Sequence, residues 1–300
     1  MKTWGLRRML WIPITVGAAG LQVARNAFQR GLLVEAGPWG ATLVRFLFGL
    51  PFAALFLAIA VVVGGPVSPR LTSAFWLACA AGAVAQMVAT AAMLVSMRRS
   101  SFALGTVFQQ SSIPLAGLFG LAFGEPLPAL KWVGLALVTA GLVTLGWPRR
   151  LAGEKIMSAA LLGLVAGAGF ALSSNAFRQA ALALEAHAPV VAALATVLVA
   201  QAMQSAALAA WLAVRNPIAL VTVVARWRES LPAGFFGAAA SGLWFTAFAL
   251  SPAGPVRAVG VVEMPIAALT GRRLFAERLA PWQILLLVVI AAGVGLAALG

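Results

Sequence analysis

The sequence predicts an all-α integral membrane protein of ten transmembrane helices, arranged as two inverted five-helix repeats. Three observations carry that prediction. The 300 residues are 62% hydrophobic and 9% charged, with a mean hydropathy of +1.00, whereas soluble domains carry about a quarter charged residues. Apolar runs of about 20 residues, the length that crosses a bilayer core, follow one another along the chain. A short motif then recurs at half the chain length. Ten spans of about 20 residues leave no room for an added soluble domain, and disorder and coiled coil are excluded by the scarcity of charge.

The runs fall at 9–33, 38–63, 72–97, 102–124, 130–147, 158–182, 189–214, 232–250, 255–276 and 282–299. The first opens on Met1-Lys2-Thr3-Trp4 with Arg7 and Arg8, like a signal peptide. However, Gln22, Arg25, Asn26 and Gln29 follow without a cleavage site, so it reads as a retained span. Gly64-Gly65-Pro66 closes the second run and Trp147-Pro148-Arg149-Arg150 the fifth. Gly120/Gly124 and Gly163/Gly167 have the small-xxx-small spacing of close helix contacts. Trp11, Trp39, Trp76, Trp132, Trp147, Trp211, Trp227 and Trp282 lie near run ends, as an aromatic belt requires. Trp244 is mid-run, where it serves either packing or stacking on an aromatic substrate.

Arginine dominates the charge: 18 Arg and 3 Lys stand against 7 Glu and no Asp, giving +14. In a soluble chain this would suggest nucleic acid, but a basic patch needs an exposed face. Here most basic residues end apolar runs, as positive-inside anchors do, so the expected partner is membrane lipid and not nucleic acid. One cysteine, Cys79, and one histidine, His187 in a loop, make neither a disulfide nor a metal cluster, and no cofactor is expected. The Arg, Ala and Gly bias fits a GC-rich bacterial genome. Lys2, Arg7, Arg8, Arg70 and Lys131 share the side of the N-terminus. Arg98, Arg99, Arg149, Arg150, Lys155, Arg215, Arg226, Arg228, Arg272, Arg273 and Arg278 share the other, a count that places both termini outside.

The repeat is the strongest signal. Asn26-Ala27-Phe28, followed by Glu35-Ala36 and Pro38, returns as Asn175-Ala176-Phe177, Glu185-Ala186 and Pro189. Pro114 before Phe123-Gly124-Glu125-Pro126-Leu127 returns as Pro265 before Phe275-Ala276-Glu277-Arg278-Leu279. The repeats are thus 1–150 and 151–300. Five spans per copy force the second copy to enter the membrane from the opposite side. Such inverted repeats place a substrate site between the halves of secondary transporters.

The Pro114 and Gly124-Glu125-Pro126-Leu127 motif, with Pro265 and Ala276-Glu277-Arg278-Leu279, resembles the EamA type of the drug/metabolite transporter superfamily. Val44-Arg45-Phe46-Leu47-Phe48-Gly49-Leu50-Pro51 and Val256-Arg257-Ala258-Val259-Gly260-Val261-Val262-Glu263 resemble patterns of a bacterial branch of it. The resemblance covers essentially the whole chain. It implies a basket of helices around a central cavity, both termini in the cytoplasm, and export of small metabolites, often amino acids. One departure stands out: Phe108-Gln109-Gln110-Ser111-Ser112 occupies a place where that branch carries a Lys or an acid.

Polar groups within apolar runs mark function, because charge near the bilayer centre is costly. Gln22, Arg25, Asn26 and Gln29 form one helical stripe, and Ser174, Asn175 and Arg178 repeat it in the sixth run. With Arg45, Gln109, Gln110, Trp244 and Arg257 these are the candidate substrate-binding residues. Pro114 and Pro265 are candidate hinges, since proline frees a backbone carbonyl. Glu263 is the one carboxylate well inside a run, either an ion-pair partner for arginine or a proton-coupling site. Glu125 and Glu277 read as residues that fix helix ends. Four candidate arginines against one acid suit a carboxylate, which guanidinium clamps with two hydrogen bonds.

The expected function is secondary transport, exporting a small carboxylate-bearing metabolite across a bacterial inner membrane by alternating access. No nucleotide-binding loop occurs. Transport or exchange of a phosphorylated metabolite and a non-transporting scaffold are the alternatives. Paired acids, a His base and a metal cluster are all missing from the runs, so no enzyme is expected.

Overall fold

The computed structural model describes residues 9–65, 67–99, 108–146, 154–264, 266 and 281–300, without the side chains of 27, 29–35, 97–99, 145–146, 154–156, 159, 281 and 283. Among the described residues every regular element is helical. They are α1 (Trp11–Leu47), α2 (Leu50–Gly64), α3 (Ser73–Arg99), α4 (Ser112–Ala122), α5 (Ala129–Gly146), α6 (Glu154–Leu184), α7 (Pro189–Arg215), α8 (Pro217–Ala225), α9 (Trp227–Leu250), α10 (Ala253–Val259) and α11 (Pro281–Leu299). A 3-10 turn, Gly260–Val262, follows α10. Among the described residues five stretches are long and apolar enough to cross a membrane: Ala36–Gly64, Ser73–Ser96, Ala160–Leu184, Pro189–Arg215 and Trp227–Leu250. Ser112–Ala122, Ala129–Thr144, Ala253–Val262 and Ile284–Leu299 are shorter apolar helices.

Local chemistry explains most boundaries. Gly37, at φ 68°, ψ −179°, kinks α1 at the junction where the sequence separates its first two runs, and Pro38 restarts the helix. A second break was not expected. α1 ends at Leu47 and α2 begins at Leu50 because Pro51 has no N–H for the carbonyl of Leu47 and its ring crowds that turn. α4 ends in a Schellman motif. Gly124 takes φ 73°, its N–H reaches Leu121 O at 3.1 Å, and the N–H of Glu125 reaches Gly120 O at 3.0 Å. Pro126 then prevents continuation, so the Gly-Glu-Pro-Leu motif is a helix stop. α8, read as loop in the sequence, is capped by Asn216, whose Oδ1 accepts from Ala219 N at 3.2 Å.

The chain divides into two compact units, 1–87 with 176–250, and 88–175 with 251–300. In the first, α9 packs along α1, and α2 along α7. Leu43, Val44 and Phe46 of α1 meet Leu208 and Leu212 of α7, Val223 of α8 and Ala233 of α9. In the second, α5 packs along α11 and α4 along α10, around Ile113, Leu135, Val138, Leu142, Ala258 and Ile290. Glycine sets these approaches: a Cβ on Gly117 would meet Leu135 at 2.9 Å, and one on Gly254 would meet the Gly117 backbone at 3.2 Å.

Of the expected belt, Trp39 is half-buried against Trp211, and Trp147 lies outside the described residues. Trp76, Trp211, Trp227 and Trp282 are exposed, as a belt requires. Trp11 is 5% exposed, and Trp132 lies over Gly117, so these two are packing residues and not belt.

Candidate functional site

In the first unit, α9 presents Gly237, Ser241, Trp244 and Phe248 at helical spacing, and the polar side chains of α1 and α6 come down onto that stripe. Arg25 and Arg45 converge on Gly237. A Cβ there would stand 3.2 Å from Cγ of Arg45 and 3.6 Å from Cδ of Arg25. Both arginines are 5% exposed. Arg45 donates to Ser241 Oγ at 3.4 Å, and its guanidinium lies 5.0 Å from the ring centroid of Phe46. Arg25 donates to Asn26 Oδ1 through Nε and NH2, at 3.2 and 2.7 Å.

One turn further, the indole N–H of Trp244 donates to Gln22 Oε1 at 3.0 Å, and the ring stacks on Phe248 at 5.7 Å. Trp244 is therefore a fixed, 7% exposed wall of the stripe. Arg178 donates to the carbonyls of Phe248 and Ala249, the latter at 3.2 Å. Those carbonyls belong to the last turn of α9, where a cation offsets the negative helix end. The repeated phenylalanines serve packing: Phe28 stacks on Phe236 and Phe177 on Phe245, with centroids 5.5 and 4.2 Å apart.

The second unit holds a different set. Arg257 donates to Ser174 Oγ through Nε at 2.8 Å and NH2 at 2.6 Å, and to Phe170 O at 3.1 Å. Glu263 lies six residues on, directly after the 3-10 turn. Gln109 and Gln110 are half-buried. The helix breaks at Gln110–Ser111, so Pro114 sits in the first turn of α4 and not mid-helix. The carbonyl its missing N–H would have left open, Gln110 O, accepts from Ile113 N at 3.0 Å. Gly167 makes room for this turn, since a Cβ there would meet Gln109 O at 3.0 Å.

Asn175, fully buried, donates from Nδ2 to Ala116 O and Ala171 O, both at 3.0 Å, tying α6 to α4. Its repeat counterpart Asn26 is exposed and turned to Arg25. Asn175→Ala is expected to lower stability by about 0.5–1.5 kcal/mol, because it removes the side-chain hydrogen bond that ties α6 to α4. Thermal denaturation in detergent measures this, and an unchanged melting temperature would show that the Asn175 bond to Ala116 O does not hold α6 to α4.

The side chain of Gln29, Pro265, and the motif from Phe275 to Leu279 with Glu277 lie outside the described residues, as do 1–8 and 147–153. The sequence reading passed over Ser241, and over Gln86 of α3 and Gln201, Gln204 and Ser205 of α7, all 9% exposed or less. Their signal was present: Gln201, Gln204 and Ser205 form a polar i, i+3, i+4 stripe inside an apolar run, like the one that singled out α1.

No family model matches the sequence, and no curated protein does. The fold does have a solved counterpart. A crystal structure of a protein matches with a TM-score of 0.62 and 18% identity, over 97% of this chain and 99% of the other. At that identity the likeness is one of fold alone.

Proposed function

We propose that the chain is a secondary transporter of the EamA type, exporting a small carboxylate-bearing metabolite, such as an amino acid, across a bacterial inner membrane by alternating access. The observation that carries this reading is the convergence of Arg25 and Arg45 on Gly237. Burying guanidinium groups within apolar helices is costly, and a carboxylate held by parallel N–H donors offsets that cost. Trp244, Gln22 and Phe248 give the adjoining wall a fixed shape. Glu263, six residues after Arg257 in the sequence, is the acid proposed for proton coupling.

The ten-span inverted repeat is supported by a regularity of packing. Numbering the runs along the sequence, the second packs on the seventh (α2 on α7), the fourth on the ninth (α4 on α10) and the fifth on the tenth (α5 on α11). A pseudo-two-fold axis relating the halves would bring helices of equal rank together in this way.

The test is a thermal-shift screen of detergent-purified protein against amino acids, small organic acids, sugar phosphates and quaternary amines. A ligand of the folded state raises the melting temperature by mass action. The expected result is stabilisation by carboxylates that disappears in Arg25→Ala. Stabilisation by quaternary amines alone would overturn the reading, and by sugar phosphates alone would replace it with phosphorylated substrates. If Arg25→Ala lowers stability and no compound binds wild type, the arginine serves structure and the scaffold alternative stands.

A further inference from the structure

α7 carries a polar face that the arginine pair does not use. Gln201, Gln204 and Ser205 are 2%, 0% and 4% exposed. Gln204 Nε2 donates to Ala83 O at 3.2 Å and to Gln86 Oε1 at 2.8 Å, which turns the amide toward α3. Its Oε1 has no partner, nor do Nε2 and Oε1 of Gln201, nor Oγ of Ser205. Buried threonine hydroxyls of this chain satisfy themselves locally, whereas the hydroxyl of Ser205, like those of Ser111 and Ser230, does not. Thr196, on the same helix, bonds back to Ala192 O at 2.7 Å, and Thr15, Thr42, Thr139 and Thr246 do likewise on theirs. An unmade buried hydrogen bond costs more than a made one contributes, so four such atoms on one stripe call for an occupant.

The location is defined by Gly49, in the break between α1 and α2. The position of a Cβ there is 2.9 Å from Gln201 Oε1 and 2.7 Å from the carbonyl oxygen of Arg45. Arg45 lies one helical turn before Gly49, about 6 Å along the axis at 1.5 Å per residue. The Gln201 amide thus borders the backbone turn that follows Arg45, in the same unit as the arginine pair.

The donor and acceptor count selects the ligand. None of the four atoms carries formal charge. A cation is disfavoured by the nearby arginines, and an anion by the two amide oxygens. What remains open is two acceptors, Oε1 of Gln201 and of Gln204, and two donors, Nε2 of Gln201 and the hydroxyl of Ser205. A primary carboxamide presents the complement: two N–H groups for the two oxygens, and a carbonyl with two lone pairs for the two donors. A hydroxyl offers a single N–H equivalent and would leave one oxygen unpaired.

We propose that Gln201, Gln204 and Ser205 recognise a carboxamide group on the transported molecule, whose carboxylate is held by Arg25 and Arg45. This rests on the carboxylate reading above and narrows it to substrates bearing both groups.

Thermal-shift titrations of the full-length protein in detergent test it with shape-matched pairs. L-glutamine is compared with L-homoleucine, and glutaramate with the branched alkanoate of the same shape. In each pair a carboxamide is exchanged for an isopropyl group. A site built around hydrogen bonds rejects the analogue that lacks them. The amide member of at least one pair is expected to bind about tenfold or more tightly than its partner, and Gln201→Leu to erase that preference. Gln201→Leu removes an amide with no partner, so it is expected to fold; Ser205→Ala is the second variant, with a smaller loss of preference. Equal binding within both pairs overturns the carboxamide site and leaves the carboxylate reading standing. A preference that survives in both variants also overturns it. Failure of every carboxylate to bind wild type overturns the carboxylate reading, and this one with it.

Discussion

Arg45→Lys is expected to reduce carboxylate transport about 10- to 100-fold while leaving the fold intact. Lysine keeps the positive charge and an apolar stem able to lie over Gly237, where Cγ of Arg45 now stands 3.2 Å from the Cβ position. What it loses is the planar fork, which alone grips both oxygens of a carboxylate. A charge-assisted hydrogen bond contributes about 1.5–3 kcal/mol, and 1.4 kcal/mol is one decade of affinity, which sets the range. The bond from Arg45 to Ser241 is 3.4 Å long and contributes little to stability by itself. Proteoliposome flux against substrate concentration reads the loss, and the melting temperature reads the fold. A structural arginine would behave otherwise: Arg45→Lys would keep full flux, or lose flux and stability together. Either result removes Arg45 from the substrate site.

Much of the fold was legible because span length and apolar content are properties of single segments. The runs at 72–97, 130–147, 189–214 and 282–299 lie within a few residues of α3, α5, α7 and α11. The break at Phe48–Gly49 was missed although Pro51 was in plain view, because the run from 38 to 63 stays apolar through it. Hydropathy reports the solvent, and helix continuity depends on an N–H that hydropathy does not see.

The candidate site was half legible. Arg25, Arg45, Gln22 and Trp244 stood out as polar or mid-run residues, and they meet on one stripe of α9. Gly237 and Ser241, which complete the stripe, are indistinguishable in sequence from the many other small residues of the chain. Asn26 and Asn175 show the limit of reasoning from the repeat. Identical motifs place one asparagine at the surface beside an arginine and the other in the core, tying α6 to α4. Their different neighbours lie far off in the chain.

The sharpest contrast in stability is expected from two glycines two residues apart on α11. Gly293→Ala should destabilise the protein, by about 1–3 kcal/mol or somewhat more, whereas Gly295→Ala should leave it unchanged or stabilise it by up to about 1 kcal/mol. A Cβ on Gly293 would stand 2.9 Å from Gly134 O, Leu137 Cβ and Val138 Cγ2; a Cβ on Gly295 meets nothing within 4 Å. The first obstacle is partly backbone of α5, which has no rotamer by which to move aside. It is also reciprocal, since a Cβ on Gly134 would stand 2.7 Å from Gly293 O and 2.5 Å from Ala297 N. Among apolar helices in lipid, contact of this kind supplies the association that hydrophobic burial supplies in water. Forcing α5 and α11 apart would loosen Leu135, Val138, Leu142 and Ile290 together, so the effect should exceed that of one lost contact. At Gly295 the added methyl meets no neighbour and only gains helix propensity. Equal melting temperatures for the two variants would show that α5 and α11 do not meet at these glycines.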